Sequence, residues 1–209
     1  MKFPIAFFLV CLLLVSCTNK ESVKITAASP PKKEESQDPR TKVERDSIRI
    51  MNAVKILNVV RESPVIDPKK IDRAPFKSMD FDKVVAYSYD GSHEQLKIAP
   101  GIGETRASSM KIDLQKGLTQ EQANSILSLF TYKTTYDPMA AMGCFEPRFA
   151  LVLYKGEKSV MQISVCLDCN NTSSVPQLQA MGDGLSKKGR KAIIALCKEL
   201  GFPYGELEN

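Results

Sequence analysis

The chain has no tryptophan and a single histidine, His93, among 209 residues. That scarcity removes multi-histidine metal sites. It also leaves a Ser-His-Asp triad or a cysteine–histidine hydrolase only that one residue to use. Charge of one sign is scarce as well. The 29 Lys and Arg against 24 Asp and Glu leave a net +5, short of the concentrated basic surface that nucleic-acid binding needs. Long apolar runs are missing too: Phe3 to Val15 is almost wholly apolar but too short to span a bilayer comfortably. What is present, 43% apolar and 25% charged residues, is ordinary globular composition and predicts one folded domain after processing.

The N-terminus follows an export pattern. Met1-Lys2 is a short positive start, the apolar core follows, and the segment closes on Leu14-Val15-Ser16-Cys17. This ending resembles the lipobox of bacterial lipoproteins. The resemblance implies cleavage before Cys17 and acylation of its sulfur and its new amine. Residues 1–16 are then a signal peptide, and Cys11 leaves with it. Acyl chains contribute about 0.8 kcal/mol per buried methylene, so such an anchor holds without a transmembrane helix. Thr18 stands where the inner-membrane retention signal of that family has Asp, which implies the outer membrane. Residues 17–45 carry Pro30-Pro31, Pro39 and mixed charges with no packable face. They read as a disordered tether reaching on the order of 30 Å.

Residues 46–209 read as a single α+β domain. Ile50, Val54, Leu57 and Val60 stand close to helical spacing, which predicts an amphipathic helix from an Asp46 or Ser47 cap to Ser63-Pro64. Pro64 to Asp82 reads as an ordered loop pinned by Val65, Ile71, Phe76, Met79 and Phe81. Lys83 to Tyr89 is a strand on its Val, Ala and Tyr content. Weaker strands are expected at Leu96–Ala99 and Met110–Leu114. Pro100 to Ala107 resembles the hairpin of helix-hairpin-helix DNA-binding modules over eight residues, but it lacks good flanking helices and reads as a Gly-rich turn. Thr119 and Gln122 have capping-box spacing and open a helix to about Phe130. Asn170 to Gly184 reads as a loop. Ser186 caps a last helix, Lys187 to Leu200, stopped by Gly201 and Pro203. Its basic start, Lys187, Lys188, Arg190 and Lys191, reads as a solvated face or, alternatively, as a surface for anionic lipid or glycan.

The densest chemistry lies between Cys144 and Cys169. Two β-type runs, Arg148–Tyr154 and Ser159–Cys166, flank Lys155-Gly156-Glu157-Lys158, a hairpin signal. A Gly156-Glu157 loop pairs Lys155 with Lys158 and, carried down the ladder, Cys144 with Cys169. The hairpin, at the centre of an antiparallel sheet under two or three helices, is thus expected to gather Cys144, Cys166 and Cys169, with Cys197 directed at the core from the last helix.

Four readings stay open for these cysteines. The first is a structural disulfide from Cys144 to Cys166 or Cys169, whose loop of about 25 residues adds roughly 3 kcal/mol. The second is a four-thiolate zinc site. The third is a catalytic dithiol, against which stands the absence of a helix start after Cys169. The fourth is buried, unreactive thiols. Arg148 enters its strand among apolar neighbours and reads as an ion pair with Glu146 or Asp168, or as a contact for a ligand anion. His93, beside Gly91-Ser92 in an expected turn, has nothing placing it near a cysteine.

The Cys-Phe-Glu-Pro-Arg and Ser-Val-Cys-Leu-Asp-Cys segments, with the later Gly-Leu-Ser-Lys-Lys-Gly-Arg and Leu-Cys-Lys-Glu-Leu-Gly, are similar to a group of Gram-negative lipoproteins over about residues 118–205. That similarity implies no activity. The expectation is therefore a lipid-anchored envelope protein, a non-enzymatic binding or structural module with a protein or glycan partner and no nucleic acid. The alternative is a thiol-redox or zinc-binding protein centred on Cys144, Cys166 and Cys169.

Overall fold

A computed structural model describes residues 40–90, 111–137, 139, 145–179, 181–182 and 184–207. The expected strand at Leu96–Ala99 and the turn at Pro100–Ala107 lie outside them.

The first helix, α1, spans Lys42–Glu62. It starts four residues before the expected Asp46, so the last residues assigned to the tether are helical. The cause is Thr41: its side chain accepts from the Glu44 amide while the Glu44 carboxylate accepts from the Thr41 amide. This reciprocal cap satisfies two of the helix's orphan donors. The face turned to the protein agrees with expectation at Val60 and differs at Ile50 and Val54. Asn52, Ile56 and Val60 are buried, whereas Ile50 and Val54 are 67% and 54% exposed. Ser63-Pro64 ends the helix as expected. The following loop is pinned by buried Ile66, Ile71, Phe76 and Phe81, with Met79 half-buried; Val65, expected among the pins, is exposed.

Five antiparallel strands form one sheet in the order β2-β1-β3-β4-β5: β1 Lys83–Tyr89, β2 Ile112–Gly117, β3 Phe149–Lys155, β4 Lys158–Cys166 and β5 Asn171–Val175. The hairpin is central, as expected. Helix α2, Gln120–Leu129, opens on the Thr119–Gln122 capping box. Helix α3, Lys187–Leu200, opens on Ser186 and ends at Gly201 in the left-handed region, φ 71°. Strand β5 was expected to be loop. Its Asn-Thr-Ser-Ser-Val sequence has little strand character of its own, and pairing with β4 overrides that.

The sheet is covered on both sides, which explains the unbroken apolar runs of β1 and β3. Val84, Ala86, Phe149, Leu151, Leu153, Met161, Ile163 and Val165 face α2 and α3. Val85, Tyr87, Tyr89, Ala150, Val152 and Tyr154 face the side of α1, which lies over β1 and β2.

The hairpin register settles a conflict between turn and strand. Gly156, at φ 57°, sits in the tight turn, and Lys155 pairs with Lys158 and Tyr154 with Ser159, as expected. One residue further the ladder slips. Leu153 pairs with Met161 and Phe149 with Val165, leaving Val160 as the extra residue of a bulge. Straight pairing would turn Gln162 and Ser164 toward α2 and α3, and Ile163 and Val165 away from them. The bulge keeps the short turn and the correct burial together.

Candidate functional site

Cys17, His93 and Cys144 lie outside the described residues. Cys166 and Cys169 are joined to each other by a disulfide, Cα–Cα 5.2 Å. Of the four readings left open, this overturns the disulfide from Cys144 to Cys166 or Cys169, since both sulfurs are taken. The local fold accounts for it. Strand β4 ends at Cys166, and the turn Leu167–Asn170 reverses the chain into β5, with Asn170 in the left-handed region at φ 52°. That reversal sets the two residues within disulfide reach. The closed loop is short, so the bond contributes about 2 kcal/mol in chain-entropy terms.

Both sulfurs are buried. The Cys169 amide donates to Cys166 Sγ at 3.0 Å, and the Glu146 amide to Cys169 Sγ at 3.4 Å. The guanidinium of Arg190 donates to the Leu167 carbonyl and ties α3 to this turn. Lys187, Lys188 and Lys191 at the start of α3 are exposed. Cys197 is a free, buried thiol on α3. Burial pushes it up to about 12, so it is protonated at neutral pH. Among the described residues no group of three or more His, Cys, Asp or Glu is placed to hold a metal.

Beside the disulfide turn, where β1 ends and β2 and β3 begin, the surface opens into a cleft of about 520 Å³. Its polar side chains include Ser88, Asp90, Lys111, Asp113, Arg148 and Asp168. Its apolar walls come from Phe149, Phe202, Pro203, Tyr204 and Leu207, with Cys197 and Tyr89 also at its surface. Phe149 and Phe202 meet edge to face at 6.2 Å.

Of the two carboxylates considered for Arg148, Asp168 is the partner: Arg148 Nε lies 3.9 Å from Asp168 Oδ2, both side chains about half exposed. The Tyr204 hydroxyl donates to the same oxygen at 3.4 Å. Lys111 Nζ stands 3.4 Å from Asp113. These are loose contacts at or beyond the long end of hydrogen bonding. Tyr89 is buried, and its hydroxyl has no hydrogen-bond partner. Burial, and then the Asp168 carboxylate, raise the Tyr204 phenol above its usual value. Burial also raises Tyr89, with the nearby Ser164 side chain opposing the shift.

Tyr204, Phe202 and Tyr89 carry no signal as site residues in the sequence. Tyr204 and Phe202 follow a helix stop, and Tyr89 ends a strand. The one pointer is Gly205. A β-carbon there would lie 2.4 Å from Lys198 Cα, so only glycine lets the chain fold back on α3 and bring Tyr204 over Asp168.

Comparison with protein-family models finds no match, and comparison with the curated proteins and with solved structures finds none either.

Proposed function

We propose that the chain is a lipid-anchored protein of the bacterial cell envelope, held in the outer membrane through Cys17, whose α+β domain is a non-enzymatic binding module. The cleft carries the binding part of this reading. It combines apolar walls with a few convergent polar groups, among them the loosely paired Arg148 and Asp168, the usual make-up of a ligand site. Among the described residues the thiol at its surface is Cys197, buried and protonated at neutral pH. The N-terminal pattern ending in Ser16-Cys17 supports the anchor, and among the described residues no helix is long and apolar enough to cross a membrane. Labelled palmitate fed to cells expressing the full chain should appear in the protein and sediment with outer membranes. Cys17→Ala should abolish both. Label that persists in that variant sinks the anchor.

A second reading is favoured by the two amide donors on the disulfide sulfurs. They would stabilise a thiolate if the bond were reduced, as a thiol-redox centre requires. Burial of both sulfurs opposes it, because an attacking thiolate needs access. Zinc would need these thiolates reduced and a further ligand set. Thiol counting after brief exposure to reduced thioredoxin separates the readings. A bond that resists reduction supports the binding module, and rapid reduction favours the redox centre.

A further inference from the structure

The cleft mixes charges of both signs, with one more carboxylate than cations. Arg148 and Lys111 supply two cations against the carboxylates of Asp90, Asp113 and Asp168, and each cation already faces a carboxylate, at 3.9 and 3.4 Å. An anion entering beside Arg148 would meet Asp168, and a cation entering beside Asp168 would meet Arg148. At the Arg148–Asp168 pair a ligand with full charge of either sign therefore meets an opposing charge beside the attractive one.

The spacing suits a different chemistry. A gap of 3.9 Å between a guanidinium that only donates and a carboxylate that only accepts is bridged by a group that does both, which is a hydroxyl. A neighbouring polar group has the same double character. The Tyr204 hydroxyl makes a long bond to Asp168. Facing these groups are Phe202, Pro203, Tyr204 and Leu207, apolar surfaces against which a ring bearing C–H groups can lie.

We infer that the cleft binds a neutral, polyhydroxylated ligand, a saccharide unit. One face of its ring would rest on the Phe202–Tyr204 wall, and adjacent hydroxyls would bridge Arg148, Asp168 and Tyr204. A volume of about 520 Å³ falls in the usual range of ligand sites and has room for one or two sugar rings. This names the ligand of the binding module proposed above and rests on that reading. It also replaces Arg148 as an anion contact with Arg148 as a donor that stands beside a carboxylate.

The test uses the full-length chain in a detergent without sugar headgroups, probed by saturation-transfer NMR. The probes are an uncharged N-acetylated amino-sugar trisaccharide, inorganic phosphate and spermidine. Transfer to the trisaccharide is expected. It should weaken roughly tenfold or more in Arg148→Ala and Asp168→Ala, the size expected when a hydrogen bond to a charged group is lost. Tyr204→Phe, which keeps the ring, should weaken it less. Both charged residues are half-exposed, so thermal midpoints should stay close to that of the parent. Cleft-dependent transfer to phosphate or spermidine, without the trisaccharide, overturns the saccharide while leaving the binding module standing. Trisaccharide transfer unchanged in all three variants overturns the cleft as its site. Transfer to none of the probes removes the saccharide and the support the cleft lends to the module.

Discussion

The two faces of the sheet are held by different means. Toward α2 and α3 the strands of the hairpin and β1 present Val, Ala, Leu, Ile, Phe and Met, with Ser88 the polar exception at a strand end. The loop residues Ile66, Ile71, Phe76 and Phe81 extend the same core. Toward α1 the same strands present three tyrosines. Tyr87 and Tyr154 share a buried hydrogen bond of 2.8 Å, the Gln162 amide donates to Ser164 at 2.8 Å, and Tyr89 has no partner. Helix α1 adds only Ile56 and Val60 with partly buried Ala53 and Val59. The first face stabilises by area removed from water, the second by area plus hydrogen bonds that must be kept whole.

The comparison breaks most visibly at its dry side. Leu151→Ala in the central strand should cost about 2–5 kcal/mol, read as a shift of the urea midpoint at unchanged slope. On the other face, Tyr87→Phe or Tyr154→Phe alone should cost about 1–3 kcal/mol, because the remaining hydroxyl is stranded. The double variant should recover much of this, so a double-mutant cycle should show coupling; strict additivity would mean that the hydroxyl pair contributes nothing.

Burial, joined by Tyr154, raises the Tyr87 phenol well above its ordinary value of 10.0, and burial raises Tyr154 and Tyr89 as well. A group raised on folding lends stability that is full below its unfolded pKa and fades as pH climbs toward the folded one. Stability should therefore fall above about pH 10, and less steeply in the Tyr87→Phe, Tyr154→Phe double variant. Cys166→Ser with Cys169→Ser should cost about 2 kcal/mol, checked by thermal unfolding against the oxidised parent. The smallest effect belongs to the outward side of α1. Ile50→Lys with Val54→Lys should stay within about 0.5 kcal/mol per site, as expected for exposed positions.

That last pair shows where sequence reading reaches its limit. Along α1 two apolar stripes share helical spacing, one through Ile50 and Val54 and one through Ile56 and Val60. Only the second, with Asn52, meets the sheet. Periodicity alone cannot choose between two stripes of the same period. Helices α2 and α3 were readable because their caps are local: Thr119 with Gln122, Ser186 and Gly201 depend on neighbours a few residues away. Strand β5 was not, since its pairing with β4 supplies what Asn, Thr and Ser lack. The hairpin turn was readable from Gly156. Its register needed a second clue, the alternation of Met161, Ile163 and Val165 with Gln162 and Ser164. Of the cleft, Arg148 was readable as an ion-pairing residue with Glu146 or Asp168 as its partner, whereas the aromatic wall comes from the chain beyond α3, with no marker but Gly205.

The buried sulfur of Cys197 has a practical use. Held protonated and shielded by the α3 packing, it can react with an alkylating reagent only during moments when that packing opens. Its labelling rate is thus a clock for local opening beside the cleft, readable by mass spectrometry in the native protein, and anything that settles in the cleft should slow that clock in proportion to its occupancy.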